Sequence, residues 1–188
     1  MSERMERQTG ESSSSAVKVS KLVKRYGDML ALDYFDLDVH QGEIFGLLGP
    51  NGSGKTTAAV KLAVRLAQQK RDVVLLLCDM NTPMLPCICP PGDIEEEHSL
   101  GSILAAPHVA ETLVRHNCMT HKRLKHLTIL GMRKGENEYT YPAYERTQAE
   151  ELLEALRNIA PFVIIDCSSY IANDILSAIS LLESDAVL

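Results

Sequence analysis

An α/β fold, with a mainly parallel sheet flanked by helices and preceded by a short antiparallel β-pair, is predicted by three observations. A glycine-rich segment, Gly49-Pro50-Asn51-Gly52-Ser53-Gly54-Lys55-Thr56-Thr57, lies between the apolar run Ile44-Phe45-Gly46-Leu47-Leu48 and a stretch of helical periodicity. Two further runs, Val73-Val74-Leu75-Leu76-Leu77 and Phe162-Val163-Ile164-Ile165, are apolar throughout and lead into Cys78-Asp79 and Asp166. Unbroken apolar runs of this length fit strands covered on both faces. Ahead of the glycines, Phe35, Leu37 and Val39 alternate with Asp36, Asp38 and His40, the period-two pattern of a half-exposed strand.

In chain order, residues 1–15 are polar with a serine run and are expected to be a disordered tail. Residues 16–188 are expected to form one nucleotide-binding domain, with a β part over 16–57 and an α/β part over 58–188. Val17, Val19 and Leu22 pair with Phe35, Leu37 and Val39 across the turn at Tyr26-Gly27. Residues 44–48 form the strand that carries the glycine-rich loop. Residues 58–70 follow as a helix, with Ala59, Leu62, Ala63 and Leu66 on one face and Lys61, Arg65 and Gln69 on the other. The strand over 73–78 comes next, then a loop in which Pro83, Pro86, Pro90 and Pro91 exclude regular structure. Short helices are expected over 99–106 and 109–117 and a strand over 127–130, whereas 131–142 reads as loop. Thr147 and Glu150 form a capping box opening a helix that faces inward through Leu152, Leu153, Leu156 and Ile159. Pro161 ends it, and the strand over 162–166 follows. Ile171, Ile175, Ile179 and Leu182 mark a further helix, and 185–188 begins another strand.

With 188 residues, 45% of them hydrophobic and 23% charged, the chain has room for one domain with a substantial core. The net charge of −6 provides no global basic field for nucleic acid. Arg115, Lys122, Arg123 and Lys125, interleaved with His116, His121 and His126, read as a solvated face, and no aromatic residue lies among them to stack on bases. No apolar run approaches the length of a membrane span. The polar N-terminus and the five cysteines, an odd number, fit reduced thiols and a cytoplasmic setting. Cys87-Ile88-Cys89 has one residue between its thiols where zinc half-sites usually have two, so packed or loop thiols are the simpler account.

Gly49 to Thr56 fits G-x-x-x-x-G-K-[ST], the phosphate-cradling loop of the P-loop nucleotidases. Gly49, Asn51, Gly52, Ser53 and Gly54 let successive backbone N–H groups turn toward phosphate oxygens. The following helix N-terminus, at Lys55, Thr56 and Thr57, adds partial positive charge. Lys55 would neutralise the β- and γ-phosphates, and the Thr56 hydroxyl would ligate Mg2+. The expected cofactors are therefore ATP and Mg2+. Asp166, at the end of an apolar strand, fits an acid that accepts from a water on the metal, and Asp79 fits one that orients the hydrolytic water. The alternative reading of each is a helix cap or turn former at a strand exit. Glu183 and Asp185 lie at the other end of the sheet and read as solvated, as does the Glu95-Glu96-Glu97 run.

Two resemblances follow, over different parts of the chain. Residues 17–57, with LVKRYGDMLALDYFDLDVHQGEIFGLLGPNGSGKTT, resemble the opening of an ABC-transporter ATP-binding subunit. That resemblance implies an adenine stacked on Tyr26 and a membrane permease as partner. Past Thr57 there is no LSGGQ-like signature, no Asp-Glu after the acidic strand and no switch histidine. From residue 58 on, TTAAVKLAVRLAQQKRDVVLLLCDM and FVIIDCSSYIANDILSAISLLESDAVL are similar to the ParA/MinD class of ATPases. In that class Asp79 matches the first switch and Asp166 begins the second, and a homodimer is implied. Two departures stand out: Pro50 occupies the place of that class's extra lysine, and its C-terminal third is missing, which implies a chain incomplete at that end. Together the resemblances imply a chimera joined at the shared Gly-Lys-Thr-Thr. The leading expectation is an Mg-dependent ATPase of ParA/MinD-like type. The alternatives are a fragment of an ABC ATP-binding subunit, membrane-associated through its permease, and a nucleotide-dependent interaction module without turnover.

Overall fold

The computed structural model describes residues 15–26, 29–89 and 98–188. The described residues up to Gln41 form one compact unit and those from Gly42 onward a second. The first unit is an antiparallel ribbon of β1 (Ser15–Tyr26) and β2 (Met29–His40), longer than the expected pair. In its register Val17 lies opposite Val39, Val19 opposite Leu37 and Leu22 opposite Phe35. The register breaks between Val19 and Leu22, where Lys21 adopts φ 49° and its N–H donates to the Asp36 carboxylate at 2.8 Å. A side-chain acceptor there replaces the ladder bond that the irregularity removes.

The second unit is built on a six-stranded sheet. Its strands are β3 (Ile44–Leu47), β4 (Val73–Leu77), β5 (Met119–Thr120), β6 (Leu127–Leu130), β7 (Phe162–Asp166) and β8 (Ala186–Val187), in the order β5-β6-β4-β7-β3-β8. Every pairing is parallel except that of β5 with β6. β3, β4 and β7 are buried along their whole length, so an unbroken apolar run is the only pattern that suits them. Successive side chains still alternate between two faces. Ile44, Val74, Leu76, Val163 and Ile165 join one apolar cluster with Leu100, Ile103, Val114, Leu152, Leu156 and Leu176 from the helices. These helices are α3 (Leu100–Leu104), α4 (Glu111–Asn117), α5 (Arg146–Ile159) and α6 (Ile175–Glu183). Helix α1 (Lys55–Gln68) packs along β4 and β7 and buries Ala59, Leu62, Ala63 and Leu66, the face its periodicity indicated. Each fully buried leucine or isoleucine of this core adds about 1.5–3 kcal/mol relative to exposure.

Where the elements depart from the sequence reading, local hydrogen bonding gives the reason. Helix α1 starts at Lys55, three residues before the expected position, because Gly54 at φ 87° turns the loop directly into the first helical turn. Within the proline-rich loop a single helical turn, α2 (Leu85–Ile88), forms after all. Pro86 lies in its first turn, where a missing N–H has no helical acceptor to lose. The capping box of α5 is shifted: Glu145 is the N-cap, its side chain accepts from the Gln148 N–H, and its own N–H donates to the Gln148 side chain at 3.0 Å. The expected helix around Ile171 divides into a 3-10 turn (Ile171–Asn173) and α6, because the Asp174 side chain caps α6 at Ser177. Asp185 is not merely solvated. Its carboxylate accepts from the Ile44 N–H at 2.8 Å and from Arg157 at 3.1 Å, fastening the start of β3. The Glu95–Glu97 reading lies outside the described residues.

Candidate functional site

The two adjacent strands β3 and β7 send their connections in opposite directions along the sheet, β3 through α1 to β4 and β7 through α6 to β8. A crevice opens outside the carboxyl ends of strands at such a point. Register brings the relevant residues there: Leu47 and Leu77 both lie opposite Asp166.

The glycine-rich loop follows β3 at this end of the sheet and leads into α1. Gly52 and Gly54 have φ of 82° and 87°, and a Cβ on either would meet nothing within 4 Å. Their requirement is therefore for the left-handed backbone itself, with open space above it. The Ser53 N–H donates to the Pro50 carbonyl at 3.1 Å, which tightens the turn. Lys55, Thr56 and Thr57 are the first residues of α1, and no side chain caps that helix end. Their N–H groups have no intrahelical acceptor, so they and the helix dipole are available to an anion.

Two contacts tie α1 to the end of β7. The Thr56 hydroxyl donates to Asp166 Oδ2 at 2.6 Å, and Lys55 Nζ donates to the Ser169 hydroxyl at 2.8 Å. Ser169 also reaches Asn51 Oδ1 at 2.7 Å and the Gly49 carbonyl at 3.1 Å, so one hydroxyl joins three loop residues. Asp166 is buried, and its second oxygen, Oδ1, has no partner among the described residues. Burial pushes its carboxyl above the ordinary aspartate value; the Thr56 hydroxyl and Lys55 pull it down, and Asp79 pushes it up again. A buried carboxylate oxygen without a donor is an acceptor waiting for a cation or a cation-bound water. A threonine hydroxyl beside it supplies the hard oxygen that Mg2+ prefers.

Asp79 lies at the end of β4, yet its oxygens are committed locally. Oδ1 accepts from the N–H groups of Asn81 and Thr82 at 3.0 and 2.8 Å, and Oδ2 from the Thr82 hydroxyl at 2.7 Å. That is the bonding of a turn former. The structure thus brings Gly49, Asn51, Lys55, Thr56 and Asp166 together through hydrogen bonds. Gly52, Ser53, Gly54 and Thr57 lie in the same loop and helix start, and Asp79 lies on the neighbouring strand. The side chain of Tyr26 is outside the described residues. Ser169 went unread in the sequence; its place three residues past the acidic strand end was the available signal.

Three of the residues read as a solvated face have local partners. Arg115 pairs with Glu111 at 2.7 Å and His126 with Asp72 at 2.7 Å, while His121 Nδ1 accepts from the Arg123 N–H at 3.1 Å. No helix among the described residues is long and apolar enough to cross a membrane.

A parallel sheet with a glycine-rich loop, a lysine and a threonine at the following helix, and a strand-end aspartate bonded to that threonine together define the fold as that of a P-loop nucleotidase. The family model described as ABC transporter matches residues 32–166, more than half of the chain, and the chain belongs to that family. Among relatives, the daunorubicin resistance ATP-binding protein DrrA2 of Streptomyces coeruleorubidus is 60% identical over 43 residues, 23% of this chain and 13% of that protein. The Nod factor export ATP-binding protein I of Cupriavidus pinatubonensis is 50% identical over 44 residues, 23% and 14% respectively. The matched stretch thus spans only a small part of these relatives. Among solved structures, the septum site-determining protein MinD of Pyrococcus horikoshii, complexed with Mg-ADP, is similar with TM-score 0.60 and 20% identity over 77% of this chain and 56% of that one. A ParA family ATPase from Chlorobium tepidum is similar with TM-score 0.62 and 16% identity over 78% and 59%. At these identities the likeness is one of fold. ABC-transporter kinship and a ParA/MinD-like architecture are therefore both present in one chain, as the two resemblances implied.

Proposed function

We propose that residues 49–57 bind the phosphates of ATP, and that the Thr56 hydroxyl and Asp166 are the groups that would hold Mg2+ and its water. The observation that carries this is the stranded Oδ1 of Asp166, buried beside a hydroxyl and an ammonium at an uncapped helix end. Lys55 releases Ser169 and turns to the β- and γ-phosphates. The N–H groups of Lys55, Thr56 and Thr57 receive the phosphate oxygens, and Asn51, Gly52, Ser53 and Gly54 shape the loop around them. Bound Mg2+ would supply charge neutralisation at those phosphates, and Asp166 would orient its water shell. Base selection falls to Tyr26 under the ABC reading.

The chain then works as an Mg-dependent ATPase of ParA/MinD-like architecture, with two copies facing each other across the nucleotide. Its place in the ABC transporter family, and the names of its relatives as ATP-binding proteins of export systems, support a membrane permease as an alternative partner on the cytoplasmic side. One observation favours binding without turnover. Both oxygens of Asp79 are engaged by Asn81 and Thr82, which ties the carboxylate into its own turn and leaves Oδ2 a single further acceptor site for a water. Titration with ATP in the presence and absence of Mg2+, beside a phosphate-release assay on the same sample, tests these readings. Mg-dependent binding with release supports the ATPase. Binding alone supports the interaction module. No binding rejects the site.

A further inference from the structure

A separate cavity of about 410 Å³ lies in the second unit, within the range of small-ligand pockets. One wall is the segment after β4, Met80 and Asn81; another is Asn173 to Ile175, at the start of α6. The rest comes chiefly from residues 137–144, which begin inside the aperiodic stretch 131–142. What fixes this stretch is Glu136. Its buried carboxylate accepts from the Ser99 hydroxyl at 2.5 Å, the Tyr141 hydroxyl at 2.7 Å and the Arg133 N–H at 2.9 Å, besides Arg133 Nε at 2.7 Å. Tyr141 is further seated against Gly101, where an added Cβ would run into the ring. The part of the wall at Tyr141 is thus preformed, whereas Glu138 and Tyr139, the latter 85% exposed, line the cavity from its solvent side.

The chemistry of the lining is one-sided. Three tyrosines, Tyr139, Tyr141 and Tyr144, share it with two carboxylates, Glu138 and Asp174, and no lysine, arginine or histidine is among its described residues. The Tyr144 hydroxyl accepts from the Leu176 N–H at 3.1 Å and bonds Asp174 at 3.4 Å, which holds the ring and the carboxylate in register. Asp174 lies at the N-terminus of α6 and is partly buried, and its carboxyl is raised by that burial. Aromatic faces combined with carboxylates attract an ammonium group, through the ring quadrupole and direct charge, and repel an anion.

We propose that this cavity is a second ligand site, which takes a compact organic ammonium compound with an apolar body. The apolar body would lie against Met80, Leu104 and Met132, which also line the space. None of the residues of the glycine-rich loop lines the cavity, and among the described residues its one link to the nucleotide reading is the lining Asn81, whose N–H donates to Asp79.

The test is a calorimetric titration of the full chain, without nucleotide, using phenethylamine and benzyltrimethylammonium as probes. The neutral 2-phenylethanol and the anionic 3-phenylpropionate serve as matched controls. The two ammonium compounds should bind about tenfold more tightly than the alcohol, the difference expected from a partly desolvated cation–π contact with a carboxylate nearby, and the acid should not bind. Ala143→Trp, a substitution at an exposed lining position, should abolish binding by filling the cavity, and Glu138→Gln should weaken the ammonium probes but not the alcohol. Equal affinity for alcohol and amine, no amine binding up to about 10 mM, or amine binding unchanged by Ala143→Trp would each overturn the proposal.

Discussion

Replacing Asp166 by Asn separates the cost of the site from its use. In the wild-type protein without ligand, a buried carboxylate has one oxygen bonded to Thr56 and the other unpartnered. Such a stranded buried acceptor costs about 1–3 kcal/mol, and more when charged. The amide keeps an acceptor for Thr56 and removes the buried charge, while its NH2 takes the unpartnered position, so Asp166→Asn should be more stable by at most about 1–2 kcal/mol, or about 2–8 °C for a chain of this size. The pH dependence carries the same sign. Burial raises the Asp166 carboxyl above its unfolded value. The folded state therefore holds the proton more tightly, the penalty is full at neutral pH, and it is relieved as pH falls through the raised folded value toward the ordinary one. Wild type should gain on the Asp166→Asn variant over that window. Circular dichroism melts at several pH values between about 4 and 8, with and without Mg-ATP, read both effects. Mg-ATP should raise the melting temperature of wild type and leave the variant nearly unmoved. A variant less stable than wild type at neutral pH without ligand would refute the reasoning, because Asp166 would then be an ordinary structural acceptor.

Three further outcomes follow from other contacts. Ser169→Ala removes the hydroxyl that holds Lys55 away from an incoming phosphate, so ATP affinity should rise by about two- to tenfold, the value of one hydrogen bond, as read by fluorescent-nucleotide displacement. Glu136→Gln should destabilise the protein by about 1–3 kcal/mol in denaturant titration, because four donors now meet a neutral acceptor. Burial raises the Glu136 carboxyl but its donors together hold it below the usual range, so wild-type stability should fall as pH drops below the ordinary glutamate value, and the Glu136→Gln variant should lack that slope. Gly101→Ala forces a methyl group into the Tyr141 ring and should cost about 1–3 kcal/mol in the same assay.

Much of the second unit was legible because its strands are continuous apolar runs and its glycine-rich loop obeys a tight spacing rule. Val73–Leu77 and Phe162–Asp166 are the observed bounds of β4 and β7, and α1 buries the face its periodicity gave. What escaped depends on side chains that pair far apart in sequence. β5 has two residues, Met119 and Thr120, too few for any periodicity, and exists because β6 offers it an edge. Residues 131–142 show no period, yet Glu136 organises them through donors that lie at Ser99, Arg133 and Tyr141. At the site, Lys55, Thr56 and Asp166 were readable from motif and strand end. Ser169 was not, because a serine carries no signature until the fold sets it against Lys55. Asp79 illustrates the reverse: the strand-end position was right, but Thr82, three residues on, decides what its oxygens do.

The most direct measurement of the central claim is an equilibrium titration of Mg-ATP against wild type and Lys55→Ala, both checked for folding by circular dichroism. Losing one charge-assisted contact to phosphate should weaken binding by at least about tenfold, from about 1.5–3 kcal/mol. A Lys55→Ala protein that binds ATP as tightly as wild type would contradict the account.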